Sequence, residues 1–121
     1  MTSEITFEVQ DGALIIGVPG TSKRVIRPDG MIVIEADPVG DGTGAFVLLE
    51  PPKATGRTSN LVRVDSDGLV IWRAQLPEGE PTDSFVEFGE SSGDVLASTW
   101  SGRHLVIDAA SGQVLRDRFT K

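Results

Sequence analysis

The chain has 121 residues, 39% of them hydrophobic and 24% charged, with 14 Gly, 7 Pro and no Cys. Such a composition predicts one globular domain over residues 1–121, with a modest core and many turns, and excludes a disordered chain. A formal net charge of −7 repels phosphate backbones and anionic lipid surfaces, so neither nucleic acid nor membrane is an expected partner; the lack of Cys removes disulfides, thiolate metal sites and Cys nucleophiles.

Apolar residues come in runs of three to five cut by Gly, Pro or Asp, which is the pattern of short strands, and helical periodicity is nearly absent. In chain order the first half predicts strands near 4–9, 13–18, 23–27, 31–36 and 45–50. Asp11-Gly12 and Asp29-Gly30 offer residues that tolerate positive φ and so close hairpins. Segment 37–44 reads as an irregular acidic loop, in which Asp37 and Asp41 are candidates for holding a cation. A second loop spans 50–59. The second half predicts strands near 60–65, 69–76, 84–89, 94–100, 103–108 and 113–119, with a third loop at 77–83 and tight turns at Asp67-Gly68 and Ser101-Gly102. Joints this short make successive strands antiparallel and leave no room for the long crossover of a parallel pair. The expected fold is all-β and antiparallel, with about 10–11 short strands and no substantial helix, arranged as a blade-like repeat, a sandwich or a barrel.

Leu14-Ile15-Ile16, Ile32-Val33-Ile34, Phe46-Val47-Leu48-Leu49 and Leu69-Val70-Ile71-Trp72 are apolar at consecutive positions. Adjacent strand residues point to opposite faces, so these strands call for cover on both sides. Stacked sheets supply such cover, and a partner copy supplies more of it, so self-association is expected.

One phrase recurs. Val62-Arg63-Val64-Asp65-Ser66-Asp67-Gly68-Leu69-Val70-Ile71-Trp72 is a strand, an Asp-containing turn ending in Gly, and a second strand. Leu105-Val106-Ile107-Asp108-Ala109-Ala110-Ser111-Gly112-Gln113-Val114-Leu115 repeats the plan, and its Gly112 lies 44 residues after Gly68. Residues 60–121 thereby resemble the repeat of PQQ-type and related β-propellers, with Trp72 at the aromatic position and Arg116 where the second copy would carry its Trp. The resemblance implies four strands per period and a blade-like unit over about 60–121. It carries over no cofactor chemistry, because the metal ligands and quinone contacts of those enzymes have no counterpart here, and no cofactor is expected. Two blades at most are expected to fit in 121 residues, and a propeller needs at least four, so several chains would have to complete a ring.

The candidates for chemistry are few. His104 is the sole His, so no multi-His metal site exists, and no Gly-x-Ser-x-Gly elbow accompanies it. Asp65-Ser66-Asp67-Gly68 begins like a calcium loop but is followed by Leu69-Val70-Ile71, which supply no ligand, so turn chemistry accounts for it. The Gly-containing stretches 17–23 and 40–44 lack the strand-turn-helix setting of phosphate and dinucleotide loops. Trp100, at a strand end beside Ser101, Gly102 and Arg103, is placed to present an indole to a protein or sugar surface. Trp72 follows an apolar strand and suits the core as well as a contact surface. Trp100, Arg103, His104 and Trp72 are therefore the candidate binding residues, with no catalytic or metal-binding residue assigned. No basic and apolar leader segment is visible, and no apolar run reaches the roughly 18 residues that span a bilayer, so a cytoplasmic location is expected. The expected role is a non-catalytic protein-binding module that also self-associates. The rivals are a carbohydrate-binding oligomer using Trp100 and Arg103, and a small enzyme using acidic loop residues.

Overall fold

The computed structural model describes residues 5–40, 42–51 and 56–119. Strands β1 (Thr6–Gln10), β2 (Ala13–Gly17) and β3 (Arg24–Ile26) form a first antiparallel sheet. A short 3-10 turn at Pro28–Gly30 leads into a second, made of β4 (Val33–Pro38), β5 (Gly44–Leu49), β7 (Leu61–Asp65) and β8 (Val70–Arg73), with β6 (Arg57–Thr58) set aside between β5 and β7. The third sheet holds β9 (Asp83–Ser91), β10 (Asp94–Thr99), β11 (Arg103–Asp108) and β12 (Val114–Phe119), with β6 added beyond β9. The fold is all-β, as its turn-punctuated apolar runs require. Among the described residues no helix is long and apolar enough to cross a membrane.

The three sheets stack in sequence order around two cores. Phe7, Leu14 and Ile16 of the first sheet meet Ala45, Val47, Leu49, Val62 and Val64 of the second. On the second sheet's other face, Phe46, Leu48, Leu61 and Trp72 meet Phe85, Val95, Ala97, Leu105 and Ile107 of the third. All six residues of β5 are consequently buried, and the consecutive apolar residues of 46–49 have their cover from both neighbouring sheets of the same chain. Burying a side chain of that size stabilises by about 1.5–3 kcal/mol. The same demand goes unmet elsewhere: Ile34 and Ile71 are each 50% exposed and Leu69 is 66% exposed.

The recurring phrase marks equivalent places in two successive four-stranded meanders. Gly68 turns β7 into β8 and Gly112 turns β11 into β12, in each case the last hairpin of its sheet, with φ of 85° and 77°. Asp65 Oδ1 accepts the Asp67 and Leu69 N–H groups, and Asp108 Oδ2 accepts the N–H and hydroxyl of Ser111, so the Asp of each phrase organises its turn. The sheet boundaries differ from the expected unit over 60–121: β7 and β8 close the second sheet, while β9 to β12 make up the third. The cause is segment 74–82, whose Pro77 and Pro81 carry the chain from one sheet to the next instead of turning it back. The first sheet has three strands, short of the four that a blade is expected to have.

Two further expectations are corrected. Segment 50–59 contains β6, and β6 pairs parallel with β9, Arg57 opposite Asp83 and Thr58 opposite Ser84. The crossover that seemed to lack room is β7 and β8 themselves. The Arg57 guanidinium fastens this corner by donating to the carbonyls of Glu80, Leu76 and Pro77. Segment 37–44 is irregular over a shorter stretch than expected: Asp37 and Pro38 end β4 and Gly44 begins β5, with Val39, Gly40, Gly42 and Thr43 outside any strand and the Val39 N–H donating to the Gly44 carbonyl at 2.8 Å to close a hairpin. Asp41, of the cation candidate, lies outside the described residues.

The sheets are also pinned by polar side chains. Fully buried Asn60 donates to the Leu49 and Phe85 carbonyls, each at 2.8 Å, and accepts the Phe85 N–H at 2.7 Å, tying β5 to β9. The Ala109 carbonyl, in the turn after β11, accepts both Trp72 Nε1 at 2.9 Å and Arg63 Nη1 at 2.6 Å from the second sheet. Arg73 grips both carboxylate oxygens of Asp29, a contact that raises its own pKa further.

Candidate functional site

The outer face of the third sheet, turned away from the second, forms a cleft of about 740 Å3. Strand alternation builds it. Leu105 and Ile107 of β11 point into the core, so His104 and Val106 point outward, and the pairing register aligns partners from the other strands in two cross-strand rows. One row reads Gly89, Leu96, Val106, Arg116 from β9 to β12. The other reads Glu87, Ser98, His104, Arg118.

The first row is apolar up to Arg116 at its β12 end. Leu96 is 48% exposed, Val106 is half-buried, and a Cβ added at Gly89 would meet nothing within 4 Å, so the row begins in open space. The second row is polar and runs from an acid on β9 to a base on β12. At its centre Ser98 Oγ and His104 Nδ1 are 3.0 Å apart. A Ser nucleophile needs such a base, but it also needs a group that orients the base and donors for an oxyanion. Among the described residues no carboxylate bonds to His104. Here the arrangement supplies a polar surface with donors and acceptors, flanked by a wet apolar strip. No group of three or more His, Asp or Glu side chains among the described residues is placed to hold a metal ion.

The four candidate residues from the sequence do not come together. His104 alone lies in the cleft. Arg103, its neighbour, points to the opposite face, where Nη1 stands 3.2 Å from both oxygens of Asp117. Trp72 is 8% exposed and serves the core, with its ring centroid 6.1 Å from that of Phe46. Trp100 is 72% exposed in the β10–β11 turn, beside a separate hollow of about 220 Å3 lined by Pro51, Thr58, Thr82 and Ser84. That turn is held by buried Asp83, whose carboxylate accepts the Ser101 N–H at 3.0 Å and the Ser101 hydroxyl at 2.7 Å. Ser101 is thus committed to the turn, and the hydroxyl that reaches His104 is that of Ser98. Leu96, Ser98, Arg116 and Arg118 escaped sequence reasoning because only the register of four strands places them beside His104. The one local signal was the Ser101-Gly102 turn, which folds β11 back on β10 and so sets His104 across from Ser98.

No curated protein matches the chain. Residues 23–119, from just before β3 to the end of β12, match the model of a domain of unknown function, DUF7957, and the chain belongs to that family.

Proposed function

We propose that this chain is a non-catalytic protein-binding module that docks a partner on the outer face of its third sheet. The observation that carries this reading is the unequal cover of the sheets. The second sheet has a packed core on each face, whereas the third leaves Leu96 and Val106 in an open cleft of about 740 Å3. Protein interfaces combine an apolar centre with a polar rim, and here Glu87, His104, Arg116 and Arg118 surround the two apolar side chains. The four-stranded meanders, stacked face to face with glycine turns in register, favour a propeller-like kinship for the scaffold. A Cys-free sequence suits a reducing, cytoplasmic setting.

Photo-crosslinking in the native host tests the docking face. With benzoylphenylalanine in place of Leu96, a discrete adduct with one protein is expected, and with the same group in place of exposed Glu35 no such adduct forms. Equal labelling from both positions, or none from position 96, overturns the proposal.

End-to-end self-association is the second reading. The first sheet's outer face carries half-buried Ile15 and Val25, which is 71% exposed, so both ends of the stack present apolar side chains. Light scattering decides it: a mass that stays monomeric over the accessible concentration range retires this reading. Sugar binding by Trp100 with Arg103 draws less support, since Arg103 is turned to Asp117 and does not line the hollow beside the indole.

A further inference from the structure

We infer that the segment received by this cleft is acidic and extended, with its carboxylates held by Arg116 and Arg118. The inference rests on the docking face proposed above and names the chemistry of its occupant.

The chain has 18 Asp and Glu against 11 Lys and Arg, so its arginines are surrounded by potential partners. Six of its eight arginines use them or use backbone carbonyls: Arg24, Arg27, Arg57, Arg63, Arg73 and Arg103 all donate to protein oxygens. Arg116 and Arg118 make no hydrogen bond or ion pair with any described residue. Both stand on β12, on the same face, at the ends of the two rows that cross the cleft. Two adjacent guanidinium groups beside this cleft, bonded to no described residue of an acidic chain, suit carboxylates supplied from outside.

Geometry sets the form of the ligand. Side chains two apart on a strand are about 7 Å apart, so Arg116 and Arg118 match two carboxylates at alternate positions of another extended segment. A segment lying over β11 turns its acidic side chains toward β12. Its intervening side chains then face Leu96 on β10. Glu87 on the far wall repels a segment whose acidic side chains face β9, so the acidic edge has a preferred side.

The probe is an unlabelled Glu-Val-Glu-Val-Glu-Val peptide added to 15N-labelled protein, with the Lys-Val and Ser-Val counterparts as comparisons. The expected result is that the acidic peptide alone shifts the amides of Leu96, His104, Val106, Arg116 and Arg118. Its affinity falls roughly tenfold or more in R116E/R118E, falls less in R116Q/R118Q, and is unchanged in R24E. Shifts that avoid the cleft, equal binding of the basic or neutral peptide, or an affinity indifferent to both double variants overturns the inference. The wild-type titrations stand without any variant. A partner crosslinked at position 96 together with silence toward the acidic peptide sinks this inference and leaves the docking face intact. Cleft binding of the acidic peptide with no crosslinked partner does the reverse.

Discussion

Trp72 occupies the space where a side chain at Gly112 would stand: a Cβ built on Gly112 falls 2.6 Å from both Cγ and Cδ2 of the indole. Ile26 bears the same relation to Gly68, with its Cδ1 1.9 Å from the built Cβ. In each case a residue on the last strand of one sheet rests on the glycine turn of the next. The glycines are therefore required twice, by positive φ and by close approach.

The two positions are expected to differ in tolerance. Gly112→Ala forces a rigid indole to move and strains the backbone, and is expected to cost about 2–5 kcal/mol. Gly68→Ala meets the far end of a flexible, half-buried Ile26, so its cost is mainly conformational, about 1–2 kcal/mol. Urea denaturation of both variants checks the order, and equal losses would show that the indole yields as freely as Ile26.

Asn60 is the most exposed to mutational damage of the buried polar groups. Asn60→Ala leaves the Leu49 carbonyl and both polar backbone groups of Phe85 without the partners they have now. Each buried unmet group costs about 1–3 kcal/mol, so a total of roughly 3 kcal/mol or more is expected by chemical denaturation. A loss below about 1 kcal/mol would mean that water enters between β5 and β9.

Trp72→Phe removes the Nε1 bond to the Ala109 carbonyl but leaves Arg63 bonded to the same oxygen. The oxygen stays satisfied, so the expected loss is only about 1–2 kcal/mol, whereas Trp72→Ala opens a cavity and is expected to lose about 3–5 kcal/mol. Thermal unfolding of the pair separates the bond from the ring.

The carboxyl of Asp108 is held below its ordinary value, chiefly by the Ser111 hydroxyl and further by the N–H groups of Ser111 and Ala110. A depressed pKa adds stability that is present above the unfolded carboxyl's pKa and is lost as pH falls through the folded one. Carbon-detected NMR titration is expected to place Asp108 below the usual carboxylate range, and Ser111→Ala to move it back up. An Asp108 titration unaffected by Ser111→Ala would assign the shift to the backbone.

What the sequence made legible follows the range of the interactions involved. Eleven of the twelve strands among the described residues are announced by local pattern, and β5 even declares its double burial in Phe46-Val47-Leu48-Leu49. β6 is silent because two residues, Arg57 and Thr58, carry no pattern; the parallel pairing and the Arg57 guanidinium that hold it both reach residues more than 18 positions away. The glycine period was visible, but which strands share a sheet depends on where the chain fails to turn back, at 74–82. His104 stood out by being alone. Its companions Ser98, Arg116 and Arg118 became a group only through strand register, and Trp72, singled out for its aromatic ring, proved to be the piece on which Gly112 rests.

The stacking order has a kinetic consequence. The second sheet has two neighbours and the end sheets have one each, so amide exchange should be graded along the stack. β5 can open only when both cores are breached, and its amides report global unfolding. The first sheet, with three strands and a single covered face, can detach while the other two remain joined through Asn60 and Ala109. The expected pattern is the slowest amide exchange in β5 and faster exchange in both end sheets, read by hydrogen-exchange NMR.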